Sequence, residues 1–164
     1  MTDDQFLCAE DAIKFAYTNI NMDMQKTSSP QRGINCTNKS DLTPWDRIAQ
    51  AVMILQTLKN ISDTQRSVIE LRYSQDELGV IAKNLAHIAS SNTAYSPKFC
   101  LDACLDWAKH GKKMDFKWWE KKLNRDRSVV WRRANRIKKD ILDNYEAQAI
   151  TALEPYMKQR GIIS

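Results

Sequence analysis

Apolar residues recur along this chain at three- and four-residue steps, and nowhere do they alternate over a useful length. Phe6, Ala9, Ile13, Ala16, Tyr17 and Ile20 predict an amphipathic helix over 3–20. Thr43-Pro44 opens another: the threonine suits an N-cap, proline fits the first helical position, and Asp46 complements the positive helix end. Its expected buried stripe is Trp45, Ile48, Val52, Leu55 and Leu58. Ser62 to Gln65 reads as a capping box for a helix reaching about Tyr73, and Ser74 to Glu77 as a second box. Leu78, Ile81, Ala82, Leu85 and Ile88 mark the helix after it, and ASSNTAYSP (89–97) reads as a loop. From Pro97 to His110 a further helix carries Leu101, Cys104, Leu105 and Ala108 on one side, with Gly111 as its stop.

The last third has a short helix over Phe116–Leu123, a break at Asn124-Arg125-Asp126, and a long helix from Arg127. The stripe Val130, Ala134, Ile137, Ile141, Tyr145, Ala149 and Ala152 keeps a helical period until Pro155, where the helix is expected to stop. The chain is therefore expected to be all-α. Its expected divisions are an N-terminal helix (1–26), a linker or mobile loop (27–42), a helical body (43–111), and a basic helix pair with a long final helix (112–164).

Composition agrees with this pattern. Only four glycines and four prolines punctuate 164 residues, too few for a turn-rich β architecture. No run approaches the ~18 apolar residues of a membrane span, and the acidic start MTDDQFLCAED lacks the basic-then-apolar order of a secretory signal. A cytoplasmic protein with Cys8, Cys36, Cys100 and Cys104 as reduced thiols is the expectation.

Charge changes the picture. The net charge is +5, yet Lys112 to Lys139 holds twelve Lys and Arg against Asp115, Glu120 and Asp126, a local +9. The rest of the chain, with thirteen basic and seventeen acidic residues, sums to −4. A concentrated basic segment is the electrostatic footprint of a nucleic-acid binder. Two helices joined by a short turn are also the skeleton of a helix-turn-helix, whose second helix reads base edges in the major groove. In that arrangement Asp126 caps the second helix, and Val130, Ala134 and Ile137 face inward against Leu123 and Trp119. Arg127, Arg132, Arg133 and Arg136 face outward with part of the Trp131 ring. The arginines suit guanine edges and phosphates, while Lys121, Lys122, Lys138 and Lys139 suit phosphates alone. The bland alternative, a solvated charged face, is weakened by the scarcity of acidic residues one turn away.

The stretch ISDTQRSVIELRYS (61–74) resembles the opening of sigma-factor region 4, with its Leu-Arg-Tyr ending. WWEKKLNRDRSVVWRRANRIKKDI (118–141) resembles the second half of that module, Leu123 standing seven residues before the inward Val130. The two halves are separated here by a long interval, and a split module of this kind looks most like phage late-gene regulators, the antitermination protein Q-like group. That resemblance implies action on double-stranded DNA and RNA polymerase, as a late-gene antiterminator or activator.

Other chemistry is poorly supported. Cys100 and Cys104 stand one turn apart with His110 beyond, but the two close ligand pairs of a zinc site are missing, so core thiols are the expectation. With two histidines and no Gly-rich phosphate loop, HExxH or GxSxG motif, the chain reads as a non-enzyme without metal or cofactor. Asp102 and Asp106, paired on a helix, read as solvated or capping carboxylates. Trp45, Trp107 and Trp119 read as core, whereas Trp118 and Trp131 flank the stripe and suit stacking or a partner contact. Two rivals remain open: a module whose basic face docks on an acidic host protein, and a DNA-packaging accessory that forms a ring.

Overall fold

The computed structural model describes residues 6–25, 43–74, 78–108 and 113–164. The expected linker 27–42 with Cys36, the second capping box beyond Ser74, and His110 with Gly111 and Lys112 lie outside the described residues. The described residues are helical throughout, apart from turns and one isolated β-bridge between Phe6 and Ile163. In chain order the α-helices are α1 (Ala9–Gln25), α2 (Pro44–Thr57), α3 (Asp63–Tyr73), α4 (Leu78–Thr93), α5 (Pro97–Ala108), α6 (Phe116–Leu123), α7 (Arg127–Asn135) and α8 (Asn144–Gln159). A 3₁₀ turn (Leu58–Asn60) ends α2, and a π-helical stretch (Arg136–Asp143) joins α7 to α8.

Capping side chains set several of these boundaries. Thr43 and Asp46 form a reciprocal box at the start of α2, where two hydrogen bonds from Thr43 hold the Asp46 carboxyl below its usual range. Ser62 and Gln65 do the same for α3, at 3.2 and 3.1 Å. At the far end of α8, Gly161 adopts φ 66°, and its N–H and that of Ile162 bond back to Lys158 and Met157. This Schellman closure needs a residue that tolerates the left-handed region.

The chain forms two compact units, Ser62–Ala149 on one hand and Met1–Ile61 with Ile150–Ser164 on the other. The division between them falls at Ile61, and the final helix supplies both units.

In the unit holding both chain ends, α1 packs on α2. Ala9, Ala12, Ile13 and Ala16 of α1 and Ala51 and Ile54 of α2 are fully buried, as are Leu153 and Met157 of α8. Thr57 is buried too, its hydroxyl satisfied by the Ile54 carbonyl at 2.6 Å. The Phe6 N–H donates to the Ile162 carbonyl at 3.0 Å, and the Arg160 guanidinium donates to Gln56 at 3.4 Å.

Four expectations need correction in these elements. Helix α1 starts at Ala9 rather than residue 3, because Phe6 is taken into the bridge with Ile163. The inward face of α2 is Ala51, Ile54 and Leu58; Trp45 and Val52, expected inside, are exposed. The small alanines on α1 and α2 permit close helix packing that the larger stripe would prevent. The segment 89–93 is helix rather than loop. Ser91, Asn92 and Thr93 fold their side chains back onto the carbonyls of His87, Ile88 and Ala89, so these polar residues complete helical turns instead of breaking them. Ala94, at φ 58°, is where the chain leaves α4.

The fourth correction concerns the long helix, which does not end at Pro155 but continues to Gln159. Proline inside a helix costs about 3 kcal/mol, and burying Leu153 and Met157 offsets this at about 1.5–3 kcal/mol each. Nor is its stripe continuous. Val130, Ala134 and Ile137 are buried, then Leu142, Ala149, Leu153 and Met157, while Ile141, Tyr145 and Ala152 are half-buried. The five-residue step from Ile137 to Leu142 is the repeat of the π-helical stretch.

In the Ser62–Ala149 unit, Val68 and Leu71 of α3, Ala82, Leu85, Ala86 and Ala89 of α4, and the buried face of α5 share one core with Trp119, Val130, Ala134, Ile137 and Leu142. Replacing Ser62 by Ala removes an N-cap acceptor without touching that core. A loss of about 1 kcal/mol in urea-unfolding stability, with an unchanged m-value, is expected.

Candidate nucleic-acid interface

Helix α6 begins where Asp115 accepts the Trp118 N–H at 3.0 Å. It ends where Asn124 takes a left-handed conformation, φ 49°. The Asn124 N–H bonds to the Lys121 carbonyl and the Arg125 N–H to the Glu120 carbonyl, a second Schellman turn in which asparagine stands where glycine is commonest. Asp126 then occupies the N-cap of α7, but its side chain makes no capping hydrogen bond; its carbonyl accepts from Val129 and Val130. Val130, Ala134 and Ile137 point into the core, with Trp119 buried and Leu123 half-buried against it, as the spacing predicts.

The mount for this pair is α5. The Trp119 indole N–H donates to Asp102 at 2.9 Å, and Asp106 accepts the Met114 N–H at 3.2 Å while pairing with the Lys138 ammonium. From the other side, the Trp107 indole donates to Asp143 at 2.7 Å. Arg72 donates to the Trp107 carbonyl at 2.6 Å, lies 4.5 Å from the Trp107 ring centre, and faces Glu146, which also accepts the Tyr73 hydroxyl at 2.9 Å. The Leu71-Arg72-Tyr73 signature is therefore structural here. Leu71 enters the core, and its two neighbours tie α3 to α5 and to the start of α8.

Asp102 and Asp106, solvated or capping carboxylates by their sequence pattern, are instead the anchors of α6 and of the π-helical stretch. Lys138, expected on phosphate, is one of the anchored groups. Its side chain is 18% exposed and committed to Asp106, which removes it from the free cations. Arg133 is half-buried with its guanidinium 5.4 Å from the Tyr95 ring centre.

The remaining candidates are on the surface. Arg127, Arg132, Arg136, Lys121, Lys122 and Lys139 are exposed, and among the described residues none of them is in an ion pair. Trp131 stands among them with 54% of its surface exposed. Trp118 is 40% exposed, set edge-on against Trp119 and covered by the Lys98 ammonium at 4.6 Å from the ring centre. Lys98, on α5, escapes a reading confined to 112–139; its only sequence signal is its place in the first turn of that helix.

Trp107 and Trp119 are core residues; Trp45, expected with them, is 77% exposed. Cys100 and Cys104 are fully buried in the core, where burial raises both thiols, Cys104 to about 12. Among the described residues, no group of three His, Cys, Asp or Glu side chains is placed to hold a metal ion, and no helix is long and apolar enough to cross a membrane. Comparison with protein-family models, curated proteins and solved structures finds no match to this chain.

Two outcomes test this geometry. Trp119→Phe keeps an aromatic ring but leaves Asp102 without the indole N–H, and should cost about 1–3 kcal/mol in chemical denaturation. Thiol labelling followed by peptide mass mapping should modify exposed Cys8 in the folded protein, and Cys100 and Cys104 only on unfolding.

Proposed function

We propose that α6 and α7 form a helix-turn-helix that binds double-stranded DNA, with α7 as the reading helix. The observation that carries this reading is the set of exposed, unpaired cations, Arg127, Arg132 and Arg136 with Lys121, Lys122 and Lys139, on a helix pair fixed from behind by α5. A surface whose positive charge is not neutralised internally is available to phosphate, and its fixed backbone lowers the ordering cost of docking. Trp131 in their midst suits stacking on a sugar or base edge. Arg133, stacked on Tyr95, has a shorter reach and serves as a positioned phosphate contact.

On the sigma region 4 resemblance of 61–74 and 118–141, the biological role we propose is a phage-type transcription regulator of late genes. It would act on RNA polymerase as an antiterminator or activator, in the cytoplasm of a bacterial host and without catalysis or cofactor. One observation favours a second reading. Exposed tryptophan beside exposed arginine is also the composition of a protein-binding hot spot, which would place an acidic protein on the same face.

A salt series of binding to random-sequence duplex DNA, followed by fluorescence anisotropy, separates the two. Log affinity should fall linearly with log salt, at about −0.9 per phosphate, with a slope corresponding to roughly four to eight contacts. Changing Arg127, Arg132 and Arg136 together to Ala should leave the melting temperature nearly unchanged, since exposed positions contribute little to stability. It should reduce the number of phosphates counted by about two or three. Absent binding at low salt would transfer the face to an acidic protein partner.

A further inference from the structure

Helix α2 is apolar on two sides. Its Ala51–Ile54–Leu58 side is in the core, and the side formed by Trp45, Ile48, Val52 and Leu55 is not. Trp45 is 77% exposed and Val52 42%, with Ile48 and Leu55 half-buried. These four residues follow one another at steps of three, four and three, the a/d spacing of a helix that seats another helix, and Lys59, in the 3₁₀ turn that ends α2, stands four residues further on. The outer edge of the stripe carries Ala49 and Gln56, both exposed, and the Arg160 guanidinium is held on Gln56 at 3.4 Å, at the rim rather than within the stripe.

We propose that this stripe is the docking surface for a second copy of the chain, α2 against α2 in antiparallel orientation across a two-fold axis at Val52. Lys59 selects both the occupant and the direction. It is exposed at the C-terminal end of the stripe, and Trp45 is exposed at the N-terminal end. Antiparallel pairing places each Lys59 ammonium over the Trp45 ring of the second copy, a cation–π contact made twice by symmetry. Parallel pairing would set the two lysines against each other on the axis. Antiparallel pairing also opposes the two helix dipoles favourably, brings Val52 onto Val52, and sets Ile48 near Leu55 of the second copy. The helix thus carries the complement of its own stripe.

The size of the contact sets its strength. Two tryptophans exposed to this degree bring roughly 300–400 Å² of the interface between them. The whole patch is then at or below the small end of specific interfaces, and association no tighter than micromolar is expected. This inference does not depend on what the basic face binds.

Sedimentation equilibrium on the full chain tests it. Between about 1 and about 100 µM, the apparent mass should rise from 19.0 kDa towards twice that value. Trp45→Ala removes both anchors and should raise the dissociation constant at least about a hundredfold, while circular dichroism and the melting curve stay as in the wild type. Orientation is read by oxidative cross-linking in a background with Cys8 and Cys36 changed to Ser. Val52→Cys should link two copies readily. Trp45→Cys should not, because antiparallel helices hold the two positions about 20 Å apart. A mass that stays monomeric across the range overturns the proposal, as does a dimer that survives Trp45→Ala. Cross-linking of Trp45→Cys as fast as Val52→Cys overturns the antiparallel arrangement.

Discussion

Two carboxylates one turn apart on α5 hold the basic helix pair in place. Asp102 takes the Trp119 indole on α6, and Asp106 takes both the Met114 backbone and the Lys138 ammonium. Both are partly buried, so losing either interaction costs more than losing its surface counterpart. The consequence for the surface is a division of labour among cations. Lys138 and Arg72 are spent inside on Asp106, Glu146 and the Trp107 carbonyl, and Arg127, Arg132 and Arg136 are left outside any ion pair among the described residues. The +9 of the segment 112–139 is thus partly structural, and a count of charges overstates what the outer face can offer a ligand.

The second constraint is the change of register after α7. A helix of constant 3.6-residue period could not keep Val130, Ala134 and Ile137 in one core and also bury Leu142, Ala149, Leu153 and Met157. The π-helical stretch Arg136–Asp143 takes up one additional residue between Ile137 and Leu142. In that same stretch are Lys138 and Asp143, the two residues that bond to Asp106 and Trp107 of α5. The altered helical pitch and the anchoring to α5 therefore coincide.

Much of this was legible in the residues. Ser62-to-Gln65 and Thr43-to-Asp46 announce helix starts because a cap is a local event, settled by side chains three residues apart. The limits of α6 and the start of α7 were readable for the same reason, as were the inward Val130, Ala134 and Ile137. What was not legible depends on distant partners. Asp102 and Asp106 look like surface acids until Trp119 and Lys138 arrive from other helices. The face that α2 turns inward depends on the alanines of α1, and periodicity alone prefers the larger stripe of Trp45 and Val52. Pro155 reads as a stop because the burial of Leu153 and Met157 that overrides it is tertiary. The polar run 90–93 reads as loop by composition, although serine, asparagine and threonine bonded back to the preceding turn are compatible with helix.

The division of the chain has an effect on the order of folding. The segment Ser62–Ala149 is inserted, in sequence, between the two parts of the other unit. During synthesis every residue of the inserted unit emerges before Ile150–Ser164, the piece that supplies Leu153, Met157, Ile162 and Ile163 to the core begun by α1 and α2. The basic helix pair and its α5 mount therefore emerge on a nascent chain whose other unit still lacks its closing piece. A chain cut after Ala149 would keep every residue of the inserted unit and leave α1 and α2 without their remaining partners.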